Sequence, residues 1–453
     1  MKYIFTIYFI VLMFPCFGQP GPIKIFRYFD DFSYLQQSDS LERNWYEKLK
    51  FIPLHGQSNI SFGGEVREMY QYFDNQNFGD IPPFFETDSE GFLWHRAMVH
   101  SNLRFNKRWR LFTQLNSTYT LFKRNPLTPE IDENRLSLHQ AFVRVDLTNE
   151  GDFIQAGRQE FGKGTQLIIG MREGPNTRLT FDAFLIGSER QKRNIYAFIA
   201  TPVISMQGVF DDKWIDELIW TFYVVNKLGK DNLDVYYFGF HGSERVYNEI
   251  QSTEDRQTIG LRYWRESKGL NYSLESNYQF GNFNTQNISA YNISFEGDKA
   301  ISDAIGIGMQ LNYISGDQDP NDKRLNTYNL LYSKPQFGLA APIGSTNLIN
   351  LKPFIILFPF KKFRATLSNY WIWRQSDVDG VYTPAAVQIR PSILNDSDAK
   401  FLGNQSTLEL FYALNTNFQF FLDYALFQPG AYVKNTGKGE TLNYFSFKTS
   451  FKF

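Results

Sequence analysis

The chain has 453 residues, and its 46 Lys and Arg against 47 Asp and Glu leave a formal net charge of −1, with no basic excess to suggest nucleic acid as a partner. It is 17% aromatic, with 45 Phe and 26 Tyr, yet its mean hydropathy is −0.36. Strands with one apolar and one wet face produce that combination, and beyond the N-terminus no apolar stretch is long enough for a transmembrane helix.

At the N-terminus, Lys2 precedes an apolar run from Tyr3 to Phe14, and Cys16 and Gly18 supply small side chains. The pattern predicts a signal peptide over residues 1–18, cleaved before Gln19 and too short to anchor the chain. Cys16, the single cysteine, would leave with it, which excludes disulfide frameworks, thiol catalysis and Cys-based zinc sites. Residues 19–58 are expected to form a periplasmic N-terminal segment, too small for a plug domain, and residues 59–453 a barrel.

From residue 59 the chain reads in twos. Ile60, Phe62, Gly64 and Val66 oppose Ser61, Gly63, Glu65 and Arg67; Leu270, Tyr272, Leu274, Tyr278 and Phe280 oppose Asn271, Ser273, Glu275, Asn277 and Gln279. Period two means half-buried strand. About 18 strands follow, starting near residues 59, 92, 109, 136, 153, 178, 194, 217, 232, 255, 270, 287, 304, 347, 363, 401, 418 and 442. Those near 153, 194, 217, 232 and 287 have ambiguous facing. The register leaves Glu68 outward, which places it near the outer rim.

Connections alternate. Long ones are expected at 74–91, 120–135, 161–177, 201–216, 242–254, 315–346, 375–400 and 428–441, with short ones between, and one break in the rule at 282–286. That parity is the mark of an outer-membrane barrel with short periplasmic turns and long extracellular loops. The fold class is therefore all-β, an 18-stranded antiparallel transmembrane β-barrel in the bacterial outer membrane. On the last strand Phe445, Phe447, Phe451 and Phe453 would face lipid, while Tyr444, Ser446, Lys448, Ser450 and Lys452 face the lumen. Such a terminal strand resembles the signal read by the outer-membrane assembly machinery, and a monomer is expected.

A barrel of this size leaves an aqueous channel, so a pore is the default function, with loop 315–346 the longest candidate to fill it. The inferred lumen wall carries Arg67, Arg96, Arg104, Arg144, Arg158, Arg178, Arg262 and Arg364, together with Glu65, Asp146, Glu160, Asp182 and Glu275. Guanidinium groups match carboxylates in paired geometry, so a ladder of them would pass a polyanion; equally, Arg–acid pairs brace a barrel interior. Asp317, Asp319 and Asp322 are a weak Ca²⁺ candidate without the glycine and glutamate of an EF-hand, and a solvated turn is the simpler reading. His55, His95, His100, His139 and His241 are scattered, His100 and Ser101 point to opposite faces, and no nucleophile elbow, phosphate loop or zinc-protease motif is present. No enzyme activity, resident metal or cofactor is expected.

The stretches RNWYEKLKFIPLHG (43–56), ISFGGEVREMY (60–70), DFIQAGRQEFGKG (152–164), NTRLTFDAFLI (176–186), SGDQDPNDKRLNTYNLLYS (315–333) and YALFQPGAYV (424–433) resemble, in order, the alginate export family of outer-membrane porins. The resemblance implies an 18-stranded barrel whose Arg-rich lumen selects an anionic uronic-acid polysaccharide or oligosaccharide, with Arg67, Arg158 and Arg178 carried over as contacts. A general or substrate-specific small-solute porin, or more remotely a barrel enzyme acting on lipid or glycan, would share the architecture. Where the family often has acids in a G-x-E-x-D pattern, this chain has Gln405 and Thr407.

Overall fold

The computed structural model describes residues 23–37, 43–247, 250–334, 338, 340, 342–390 and 397–453; the expected signal peptide lies outside them. The chain forms a closed barrel of 18 antiparallel strands. The first nine are β1 (Asn59–Asp74), β2 (Glu90–Phe105), β3 (Trp109–Leu121), β4 (Asn134–Asp146), β5 (Asp152–Gln159), β6 (Thr180–Glu189), β7 (Arg193–Ile204), β8 (Glu217–Leu228) and β9 (Asp231–Tyr247). The rest are β10 (Ile250–Arg265), β11 (Leu270–Phe283), β12 (Gln286–Ala300), β13 (Ile305–Ile314), β14 (Leu348–Leu357), β15 (Phe363–Trp373), β16 (Phe401–Ala413), β17 (Phe418–Pro429) and β18 (Leu442–Lys452). Each pairs with the next, and β18 closes on β1, with Lys452 opposite Glu65 and Asn443 opposite Asp74. Closure is obligatory, because an open edge would leave backbone N–H and C=O groups unpaired in lipid.

The expected strands are all present, and their ends differ where polar residues continue the ladder. Instead of a long loop at 242–254, β9 runs to Tyr247 and β10 resumes at Ile250, with a bulge between Gly242 and Arg245. A hydrogen-bonded ladder does not need lipid, so this hairpin carries on past the apolar band. Glu68 does point outward, but Tyr70 and Tyr72 lie beyond it on the same face, so it is not at the strand's outer end. Its carboxylate is instead matched by His95 on β2, whose Nδ1 is 2.5 Å away.

The inner face has two characters. On β1–β4 and β11–β18 it is mostly polar: Asn271, Ser273, Glu275, Asn277 and Gln279 all point inward and are buried, as the alternation predicts. On β6–β9 it is mostly apolar: Phe181, Phe198, Ile219, Tyr223, Tyr236, Phe238 and Phe240 pack into one cluster with Phe153 of β5 and Trp264 of β10, while the rest of the inner face of β10 is polar, with Glu254, Arg256, Thr258 and Arg262 buried. What they pack against is folded-in chain: Phe161, Ile168 and Ile169 from loop 160–179, and Leu331 and Tyr332 from loop 315–347. The two loops are joined by backbone, Gly170 N–H to Tyr332 O and Tyr332 N–H to Ile168 O, both 2.9 Å. Both faces of these strands are therefore apolar, which is why period two is weak there. Loop 315–347 enters the lumen as expected; loop 160–179 enters too, and the sequence did not single it out.

The N-terminal segment is wedged into the short-turn mouth of the barrel. Arg27 is buried and donates to Gly64 O (2.7 Å) and Phe453 O (2.8 Å), across the seam between the first and last strands. Ile52–Pro53 pairs with Ile60 and Asn59, extending the sheet below the end of β18. Lys50 donates to Phe62 O (2.5 Å) in a space that Gly63 keeps open, since a Cβ there would sit 2.5 Å from Lys50 Nζ. Burial, then the charge of Arg27, pulls Lys50 down to about 7. Tyr28 meets Phe112 and Phe142 edge-on, and its hydroxyl reaches Glu160 O on loop 160–179 (3.1 Å). Beside this wedge lies a cavity of about 730 Å³ lined by Asp31, Lys50, His100 and Arg104 among others.

Candidate functional site

Alternation along β1 and β2 turns Glu65, Arg67 and Arg96 inward at mid-barrel. Arg67 and Arg96 are directly opposite in the ladder, an arrangement of like charges that is unfavourable unless counter-charges are brought in. Loop 160–179 brings them. Arg96 Nη2 donates to Glu65 Oε1 (2.9 Å) and to Glu173 Oε1 (2.7 Å). Arg178 donates from Nε to the other oxygen of Glu173, and lies 3.5 Å from Glu65 Oε2 and 3.4 Å from Glu160 Oε1. The same Glu160 oxygen, Oε1, is also met by His139 Nε2 (2.8 Å).

Arg67 holds the loop's backbone rather than a carboxylate. It donates to Glu173 O (3.0 Å), Pro175 O (2.9 Å) and Asn176 Oδ1 (3.2 Å). Asn176 in turn plugs the loop into the wall, donating to Asp132 O (2.8 Å), Tyr119 O (3.1 Å) and His95 O (3.2 Å). Three arginines and three glutamates thus form one layer across the lumen, with Lys452 facing Glu65 from the closing strand. We call this layer the waist. Each glutamate of the layer is paired with a guanidinium and Arg67 is held by loop acceptors, so removing one partner would strand a buried charge.

Of the other residues expected in the lumen, Arg104 lines the periplasmic cavity. Arg144 stacks on the Phe153 ring (3.6 Å to its centre) and donates to Asp146 (2.8 Å). Arg262 donates to Ser273 Oγ (2.7 Å) and lies 3.5 Å from Asp234. Glu275 accepts from Tyr236 OH (2.7 Å). Arg364, near the start of β15, lies over the Phe411 ring at 5.5 Å. These are separate brackets along the wall, not part of the waist.

Arg158 and Asp182 are a correction. Phe153, Gln155 and Gln159 of β5 are the inward set, so Arg158 shares the outward face with Ile154 and Ala156, and Asp182 lies opposite it on β6. They form a two-pronged ion pair on the outside, both contacts 2.9 Å, joined by Trp214 Nε1 (2.6 Å to Asp182) and by Asp212 (3.7 Å from Arg158). Loop 205–216 folds across this point to pair with the upper end of β4 at Leu136, covering the stretch where β5 and β6 stop short. Sequence reasoning also missed Glu173 and the buried pair Arg256–Glu254. Parity along β10 could have found the latter; a non-periodic loop offers no signal for the former.

At the extracellular end, Asp317, Asp319 and Asp322 do not converge. Asp319 and Asp322 accept from the backbone of Asn321 (2.9 Å) and Arg324 (2.6 Å) in an exposed turn, whereas Asp317 turns inward and accepts from Asn326 N (3.1 Å). Asp379, on loop 374–400, accepts from Asp317 N and Thr327 Oγ1, both 2.7 Å. Burial, with Asp379 nearby, pushes Asp317 up to about 6, and burial raises Asp379 as well. Among the described residues no group of three His, Cys, Asp or Glu is placed to hold a metal ion.

A family model described as alginate export matches residues 58–447. The chain belongs to the alginate export family. This member of the alginate export family is accordingly an outer-membrane channel. Its barrel is similar to that of Pseudomonas aeruginosa OccK2 (OpdF) in complex with glucuronate, with a TM-score of 0.59 at 10% identity over 87% of this chain and 98% of that one. Acinetobacter baumannii OccAB1 gives 0.59 at 10% identity over 91% and 99%, and Pseudomonas aeruginosa OpdO 0.58 at 9% over 87% and 97%. At such identities the likeness shows the fold alone. No curated protein matches the chain.

Proposed function

We propose that this alginate export family channel passively conducts an anionic polysaccharide or oligosaccharide, recognised through its carboxylates, with no catalytic step on the cargo. The observation that carries this reading is the waist, where Arg67, Arg96 and Arg178 converge from two strands and a loop. Guanidinium groups in a site of low dielectric favour carboxylate over neutral sugar, and a series of weak contacts lets the chain move on. Planar-bilayer recording tests it: the reversal potential under a KCl gradient should show anion preference, and Arg67→Ala with Arg96→Ala should abolish it. A channel with no such preference refutes the reading.

A second reading, a porin for small acidic solutes, is favoured by the two loops that fill the lumen centre; glucuronate, named in the OccK2 complex, is a solute of that size. Liposome swelling separates the two. Entry of glucuronate with exclusion of longer uronic-acid oligomers would favour the small-solute porin.

A further inference from the structure

The three acids of the waist are not equivalent. Glu65 stands on β1 with its side chain 2% exposed, and Glu160 is 0% exposed and fixed by His139. Glu173 is 28% exposed, although it is the acid shared by Arg96 and Arg178. Its backbone is held independently of its carboxylate, because Arg67 grips the carbonyls of residues 173 and 175 and Asn176 locks the loop to the wall. The Glu173 side chain can therefore swing away while the loop stays in place. Arg96, meanwhile, is fully buried and uses only Nη2; its Nε and Nη1 have no hydrogen-bond partner among the described residues. A buried guanidinium with idle donors is costly, and a ligand carboxylate free to align with it in two-pronged fashion would use them.

We propose that the Glu173 carboxylate stands in for the cargo: it fills a carboxylate site formed by Arg96 and Arg178, and an arriving uronate-type carboxylate takes that site by displacing it. The inference rests on the anionic-cargo reading above and adds to it the residue that sets the threshold. While Glu173 is in place, three arginines and Lys452 face three glutamates, so the waist keeps only a small positive excess: enough to prefer anions, but less than it would offer chloride without Glu173. A tethered competitor acts at the high effective concentration of an intramolecular group, so only a ligand with well-aligned or closely repeated carboxylates outcompetes it.

The test uses the full-length protein in detergent and in planar bilayers, with glucuronate and short uronic-acid oligomers as probes. Glu173→Gln should bind glucuronate about tenfold more tightly than the wild type by titration calorimetry, and should pass more chloride current without added uronate. Glu173→Asp, which draws the carboxylate back by one carbon, should fall between them, and it serves as the readout if Glu173→Gln yields no heat-modifiable barrel. Unchanged or weaker binding by the variants, with anion preference intact in the wild type, overturns the proposal and leaves the cargo reading standing. A wild type without anion preference removes both.

Discussion

Two parts of the inner wall bury their side chains by opposite means. On β5–β8 it is done with rings: Phe161 on the loop stacks on Phe198 of β7 at 4.5 Å and 7°, and the contact is non-directional and costs no desolvation of charge. On β1 and β2 it is done with ions, where each group depends on a specific partner at a specific distance. Loop 160–179 touches both, with residues 161–169 on the ring side and residues 173–178 on the ionic side. The ring side fixes where the loop lies, and the ionic side sets what it does to a passing anion. A folded-in loop is stable because one half of it is ordinary hydrophobic core.

The largest effect should come from breaking the ring side. Phe198→Ala removes a buried ring whose stacking partner is on the loop, at a cost of about 3–5 kcal/mol. The barrel should survive on its ladder while the loop loosens, seen as a lower melting temperature and a higher, noisier conductance. Arg67→Ala comes next. It takes the Arg67 donor from three loop acceptors, two partly buried and one buried, worth about 2–3 kcal/mol, and should weaken anion preference in reversal-potential measurements while altering the melting curve less than Phe198→Ala.

A smaller effect should follow pH at the extracellular end. Asp317 is raised to about 6, so between its unfolded value near 4 and pH 6 the folded loop holds more proton than the unfolded chain. Loop 315–347 is therefore held more firmly at pH 5 than at pH 7.5. Protection factors around residues 319–326, that is, exchange rates divided into the intrinsic rate at each pH, should be higher at the lower pH, and Asp317→Asn should flatten the difference. The smallest effect should come from Arg158→Gln. Its side chain is on the outside, so reversal potential should not move; a loss of anion preference would show that the register of β5 is wrong.

Strand number, closure and the facing of β1, β11, β13, β15 and β18 could be read from the sequence because each has one wet and one oily face. The outward Leu270, Leu274 and Tyr278 and the inward Asn271, Glu275 and Asn277 leave no other register. The same rule failed for Arg158 and Asp182, since Phe153, Gln155 and Gly157 oppose Ile154 and Ala156 with little contrast. The inner face there is covered by a loop rather than water, so selection for polarity is absent. Glu65, Arg67 and Arg96 follow from alternation; Glu173 does not, because its position is fixed by other residues of its loop, Asn176 on the wall and Gly170 against Tyr332 of loop 315–347.

Arg27 joins, through one guanidinium, the carbonyls of Gly64 and Phe453, which belong to the beginning and the finish of the barrel. Those acceptors exist as a pair only after the tail of the chain has been laid beside its first strand. Until then the guanidinium has only one of its two acceptors, so cleavage in residues 23–37 is expected to slow once the barrel has closed. The head of the molecule thus reports whether its tail has arrived, and resistance of that short stretch to digestion is a gauge of completed assembly.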